Sequence, residues 1–283
     1  MFYLIKIIEK LVRINYIKFK LIKILSILLT IVDQKHKKIV EKQLKYTGLK
    51  ESYLNINEGL FTTILNYLQL SNYKEKDLKE KVKIKKEKEL INLIKENNYI
   101  FVSSHYSNWE IMLQRLSITV KKLDCSAKPQ KEKELYEYIQ EKRQRFGAKI
   151  FDKENALKNL LNSLKEKRNI LFLADQNVDI KSAVICDFFK KETPFLKTAG
   201  LLSFKRNTEI IYIGIKYIYE SDSYEIDWKE PFKSKKENKE ENIKENVCYY
   251  VENLEQQILK NPKEWLWAHR RWKSINPELY KNF

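Results

Sequence analysis

Histidine is the side chain whose unperturbed pKa best suits proton abstraction near neutrality. In the string His105-Tyr106-Ser107-Asn108-Trp109-Glu110, a histidine follows the short apolar run Tyr99-Ile100-Phe101-Val102, and a carboxylate stands beyond four intervening residues. Positions five apart on a helix diverge by about 140°. The pair therefore meets only if His105 lies in a loop before a helix and Glu110 in its first turns, as a strand-to-helix turn allows. Glu110 would then fix the imidazole tautomer and stabilise the imidazolium while His105 takes a proton from a hydroxyl. No activated Ser or Cys nucleophile is evident, so direct attack by the substrate's own hydroxyl is the simpler chemistry. Alone, a histidine near a carboxylate is more often structural.

Such a pair needs elements to hold it. Ile170-Leu171-Phe172-Leu173 and Ile210-Ile211-Tyr212-Ile213 are two further apolar, β-branched runs, separated by helical patterns. Alternating helix and buried strand predicts an α/β sheet covered on both faces. Working residues gather at the carboxyl ends of such strands. Ser103-Ser104-His105 and Ala174-Asp175-Gln176 stand there, with residues 186–200 as a third candidate stretch. Residues 89–97 and 109–120 have helical spacing, and 34–72 read as one or two helices broken near Gly48. The charge-dense stretch 73–88 reads as a solvated helix face or loop.

The first 32 residues are mostly Ile, Leu, Phe, Tyr and Val, interrupted by Lys6, Glu9, Lys10, Arg13, Lys18, Lys20 and Lys23. On a helix all of these except Lys18 share one arc of roughly 140°. The uncharged run 24–32 is far short of the ~20 apolar residues that span a bilayer, and no small-residue cleavage site follows it. Residues 1–33 are therefore expected to form a membrane-associating amphipathic helix, and 34–283 a catalytic domain. Packing of that helix on the domain core is the competing expectation. The 55 Lys and Arg against 38 Asp and Glu, a net charge of +17, point to anionic partners. Cys125, Cys186 and Cys248 are odd in number and widely spaced, indicating neither a disulfide framework nor a zinc site, with a reducing cytoplasmic environment as the default. His36, His105 and His269 have no second histidine at ligand spacing, so no metal is expected.

The string at 105–110 resembles the HX4(D/E) signature of glycerolipid-type acyltransferases. Its longer form, HxxNWE, resembles the late acyltransferases of lipid A biosynthesis, the lauroyl/myristoyl transferase family. The likeness continues in order. Arg143-Gln144-Arg145-Phe146-Gly147 is similar to the family's Arg-rich element, Leu173-Ala174-Asp175-Gln176 to its Asp-Gln strand end, and Phe188-Phe189 to its Phe-Phe-Gly turn. Residues 262–273, with Trp265, Trp267, His269, Arg270, Arg271 and Trp272, are similar to its C-terminal element. Lys190 replaces the glycine after Phe-Phe, Phe195-Leu196-Lys197-Thr198-Ala199-Gly200 replaces a Thr-x-Thr-Gly run, and Lys128-Pro129 stands where Arg-Pro is common.

This resemblance implies a mixed central sheet with helices on both faces, of glycerolipid-acyltransferase type. It implies transfer of a fatty acyl group from a thioester to a hydroxyl of a lipid A precursor or related glycolipid. Acidic acyl carrier protein or coenzyme A would bring the acyl group as co-substrate, with no bound cofactor. His105 and Glu110 would be catalytic, and Asn108, Lys128, Arg143, Arg145, Asp175 and Gln176 would bind substrate. The implied location is the cytoplasmic face of the inner membrane, on anionic lipid. Several plainer roles compete: solvated surface charges for Arg143 and Arg145, a helix cap for Asp175, and an amphipathic C-terminal helix packing aromatics for 265–272. Lysophospholipid acylation is the alternative within the same chemistry. A nucleic-acid-binding protein is disfavoured because no such motif appears and the lysines are spread along the whole chain. An inactive lipid-binding protein is disfavoured because His105 and Glu110 are both present.

Overall fold

The computed structural model describes residues 2–152 and 155–281. In chain order the elements are α1 (Phe2–Leu11), α2 (Asn15–Val32), α3 (Gln34–Thr47), α4 (Tyr53–Leu70), α5 (Glu75–Lys81), β1 (Val82–Ile84), α6 (Glu87–Glu96), β2 (Ile100–Ser103), α7 (Trp109–Thr119) and β3 (Leu123–Ala127). There follow α8 (Lys133–Gln144), β4 (Lys149–Asp152), α9 (Ala156–Lys165), β5 (Asn169–Leu173), β6 (Ala183–Asp187), β7 (Glu192–Leu196), α10 (Thr198–Arg206), β8 (Ile210–Ile218), β9 (Ser223–Trp228) and α11 (Lys239–Lys260).

Seven strands form one mixed sheet in the order β1-β9-β8-β2-β5-β3-β4. Every neighbouring pair is parallel except β8 and β9. The three apolar runs of the sequence are β2, β5 and β8, side by side at the centre, where both faces are buried. Alternation divides their side chains: Ile100, Val102, Ile170 and Phe172 pack with α3, α9, α10 and α11, while Phe101, Leu171 and Ile211 pack with α6 and α7. The sheet is thus covered by helices on both sides.

Several elements differ from the sequence reading. The N-terminal segment is two helices rather than one, parted at residues 12–14. The stretch 73–88 holds α5 and the edge strand β1, whose register against β9 places Val82 and Ile84 inward. Residues 265–272 are turns and irregular backbone, not a helix. Cys186 on β6 and Cys248 on α11 are joined in a disulfide with their Cα atoms 5.6 Å apart, which corrects the expectation of free thiols. A separation of 62 residues carried no hint that the β6–β7 hairpin lies against α11. Cys125 stays free and buried. That hairpin turns through Phe189 and Lys190, both at positive φ (55° and 56°), so Lys190 holds a left-handed turn position that glycine adopts without cost.

Lys18, the charge that fell outside the polar arc, is fully buried. Its Nζ donates to Asp222 Oδ1 and Oδ2 (2.8 and 2.9 Å) in the β8–β9 turn and to Gln69 Oε1 (2.8 Å) on α4. Burial lowers the Lys18 pKa, with Asp222 opposing. The pair fastens α2 to the sheet end. Meanwhile Ile24, Ile27, Leu28, Ile31 and Val32 of α2 remain exposed. Among the described residues no helix is long and apolar enough to cross a membrane.

Breaking a buried ion pair from one side strands the other charge, at a cost of about 3 kcal/mol. Asp222→Asn, which keeps shape and tolerates the turn's left-handed backbone, is expected to lower stability by that order in urea titrations. Lys18→Met, which removes the buried cation itself, should cost less. The reverse ranking would show that the pair does not fasten α2.

Candidate active site

The register of two central strands builds the site. Ser103 of β2 pairs with Leu173 of β5, and Ala174 N–H donates to Ser103 C=O (2.9 Å). Two residues beyond that pair, His105 and Asp175 come side by side at the carboxyl edge. His105 Nδ1 lies 2.7 Å from Asp175 Oδ1, and the His105 backbone N–H donates to Asp175 Oδ2 (3.0 Å). Trp265 Nε1–H also donates to Asp175 Oδ2 (2.8 Å). Asp175, 3% exposed, therefore collects three donors. Burial alone would raise its pKa, but the adjacent imidazole and these hydrogen bonds prevail and lower it. It stays an anion. Burial alone would lower the His105 pKa, but the charge and hydrogen bond of Asp175, with the nearby Glu110 charge, together outweigh it and raise the pKa.

The carboxylate on His105 is thus Asp175 and not Glu110, a correction with a geometric cause. Ser107, at φ 51°, turns the chain out of the strand, and Asn108 caps α7 by accepting from Ile111 N–H (3.2 Å). Glu110 then lies in the first turn of α7 but is engaged from α8. Arg143 donates to it through Nε (2.8 Å) and Nη2 (2.5 Å), a bidentate fork. Burial would lower the Arg143 pKa, and the Glu110 contact drives it upward instead.

His105, Glu110, Lys128, Arg143 and Gln176 all line one cleft of about 670 Å³, together with Trp109, Leu113, Leu160 and Phe172. Lys128, just past the end of β3, has no ion-pair partner among the described residues. With Nδ1–H pointing at Asp175, the His105 Nε2 lone pair is the ring's open basic site, 3.3 Å from the Gln176 side-chain amide. Two residues expected in the site lie outside it. Asn108 is fully buried, and its amide also donates to Thr63 C=O (3.1 Å) and Tyr224 Oη (3.3 Å), so its polar atoms are used internally. Arg145 is exposed, with Nη1 on Ser71 C=O (2.8 Å).

The C-terminal segment supplies what residue-by-residue reading missed. Residues 264–266 run antiparallel to 105–107: Tyr106 bridges Trp265, Ser107 N–H donates to Glu264 C=O (2.8 Å), and Leu266 N–H donates to His105 C=O (3.0 Å). Gly59 of α4 lets this segment approach, since a Cβ there would fall 2.1 Å from Lys263 C=O. His269, its pKa pushed down to about 4 by burial, accepts the Asn177 N–H at Nε2 (2.7 Å) and steadies the loop that carries Gln176. The aromatic and His-Arg-Arg residues at 265–271 were the available signal, but nothing local tied them to Asp175. No cluster of three metal-ligating side chains occurs among the described residues.

The sequence matches the family of bacterial lipid A biosynthesis acyltransferases over residues 51–274. Comparison with curated proteins gives no match.

Proton abstraction needs neutral His105, and its pKa is raised above the ordinary 6.5. Catalysis should therefore fail as pH falls through a value above 6.5, seen as the acidic limb of kcat/KM. Asp175→Asn removes the raising charge, so the limb should move to lower pH while kcat drops by ~10² to 10⁴. An unmoved limb would detach Asp175 from the titrating base.

Proposed function

Because the chain belongs to the bacterial lipid A biosynthesis acyltransferase family, we propose that it transfers a fatty acyl group from a thioester to a hydroxyl of a lipid A precursor or related glycolipid. Acyl carrier protein or coenzyme A carries the acyl group. The observation that supports this most directly is His105, oriented by a buried Asp175, with its basic nitrogen facing a cleft that also holds Lys128 and Arg143.

In this reading the acceptor hydroxyl displaces the Gln176 amide at Nε2 and gives its proton to His105 as its oxygen attacks the thioester carbonyl. Asp175 stabilises the imidazolium formed. The tetrahedral oxyanion collapses, the carbon–sulfur bond breaks, and the thiolate leaves and takes back the proton. Glu110 acts through Arg143, holding the guanidinium plane so that Nη1, which Glu110 does not use, is available to an oxyanion or phosphate. Lys128 adds a second cation. The leucines and Phe172 of the cleft suit an acyl chain.

The net charge of +17 fits an acidic carrier and phosphorylated lipid. The exposed apolar residues of α1 and α2, interleaved with lysines, fit attachment to the surface of an anionic inner membrane from the cytoplasmic side. Purified protein given acyl-carrier and coenzyme A thioesters with a panel of lipid hydroxyl acceptors should acylate the lipid A precursor. Product only on lysophospholipid would sink the glycolipid reading.

Arg143 and Arg145 make an internal comparison. Arg143→Lys loses the fork on Glu110 and should lose most activity. Arg145→Lys, at the surface, should stay within about 0.5 kcal/mol in stability and near wild type in rate. Equal, near-wild-type kinetics for the two would remove Arg143 from the mechanism.

A further inference from the structure

Trp109 is a wall of two cavities. One is the catalytic cleft, where its ring meets His105 edge-on with centroids 5.1 Å apart. The other, about 220 Å³, lies between α2, α3, α4 and the segment 264–268. Its interior is apolar, formed by Leu29, Val40, Ile56, Leu60, Trp265 and Trp267. Its charged groups and amide already have partners: His36 Nδ1 lies 2.8 Å from Asp33 Oδ2, Asn57 Nδ2 donates to Thr30 Oγ1 (2.9 Å), and Glu264 accepts from Tyr217 N–H (3.1 Å) and Asn261 Nδ2 (2.6 Å). An occupant is therefore asked mainly for apolar surface.

Two neighbours indicate what that occupant is. Leu28 and Val32, which flank Leu29 on α2, are 51% and 77% exposed, so an apolar stripe open to the surroundings runs beside the cavity. Beside it, Lys35 of α3 is exposed and close enough to contribute to the lowered pKa of Asp33, where burial alone would raise it. Apolar interior, apolar approach and cationic rim together match a fatty chain attached to an anionic headgroup.

We propose that this cavity is a second acyl-chain site, distinct from the catalytic cleft, which seats one fatty chain of the anionic membrane lipid that accepts the acyl group. The chain enters along α2, packs against the far side of Trp109, and leaves its headgroup near Lys35. The role as acceptor site rests on the function proposed above. The binding of a lipid chain does not. Asp33 and His36 pair at the rim, and the Trp109 indole separates the two cavities.

Vesicles of anionic phospholipid carrying bromine at mid-chain test this, because bromine quenches indoles that it contacts. Trp109, Trp265 and Trp267, three of the five tryptophans, line the cavity. Wild-type protein bound to these vesicles should be strongly quenched relative to unbrominated vesicles. Leu60→Phe fills the cavity from α4, and Leu29→Phe fills it from α2. Both positions are half-buried, so if one variant misfolds the other stands in. Each should still sediment with vesicles, lose most of the quenching, and raise KM for the lipid acceptor severalfold at nearly unchanged kcat. Leu259→Phe, exposed on α11 and outside both cavities, should change neither quenching nor KM. Unquenched wild type, or filled variants quenched as strongly as wild type, would overturn the proposal. Quenching that behaves as expected in a protein that acylates no lipid hydroxyl would count against the function and leave the cavity a lipid-chain site.

Discussion

A carboxylate buried to 3% exposure stays charged only where donors surround it. Asp175 has three, from the His105 backbone, the His105 ring and the Trp265 indole, and each comes from a different constraint. The backbone donor follows from the β2–β5 register. The ring donor sets the tautomer that leaves Nε2 basic. The indole donor requires residues 264–266 to lie against residues 105–107. Removing any one leaves a buried anion less satisfied, so the sheet, the histidine and the C-terminal segment are bound to one another electrostatically.

Around that anion the site is divided into two pairs, each of one carboxylate and one nitrogen side chain. His105 on the β2 end meets Asp175, and Arg143 on α8 meets Glu110. Both carboxylates were legible in the sequence by type, but their partners were not. His105 and Glu110 are near in sequence and engage different elements, whereas His105 and Asp175 are 70 residues apart and touch. Spacing along a chain reports helical neighbours well. It cannot report which parallel strand lies beside which, and that choice determined the partner of His105.

The same distinction runs through the fold. The runs at 99–102, 170–173 and 210–213 were legible because central strands buried on both faces must be apolar throughout. Val82-Lys83-Ile84 and Lys149-Ile150-Phe151-Asp152 lie at the sheet edges, where a short strand can carry charge on its open side, and composition resembles a loop. Lys18 looked like a flaw in an amphipathic pattern because its partner, Asp222, belongs to a turn far along the chain. Trp265 and its neighbours suggested a helix because aromatic clustering shows what must be buried and says nothing of backbone shape.

The docking of residues 264–269 has a consequence for folding kinetics. Trp265 reaches Asp175 across 90 residues of chain, and its bridge to Tyr106 closes a longer loop still. Contacts of such high sequence separation form slowly, since closure entropy is lost before any contact rewards it. The parallel sheet at β2 and β5 can assemble with His105 and Asp175 already adjacent while the indole is absent. In that arrangement the carboxylate still lacks the Trp265 donor, while the imidazole already has the partner that fixes its tautomer. Full satisfaction of Asp175 therefore waits on the contact of longest sequence separation around it, the docking of Trp265.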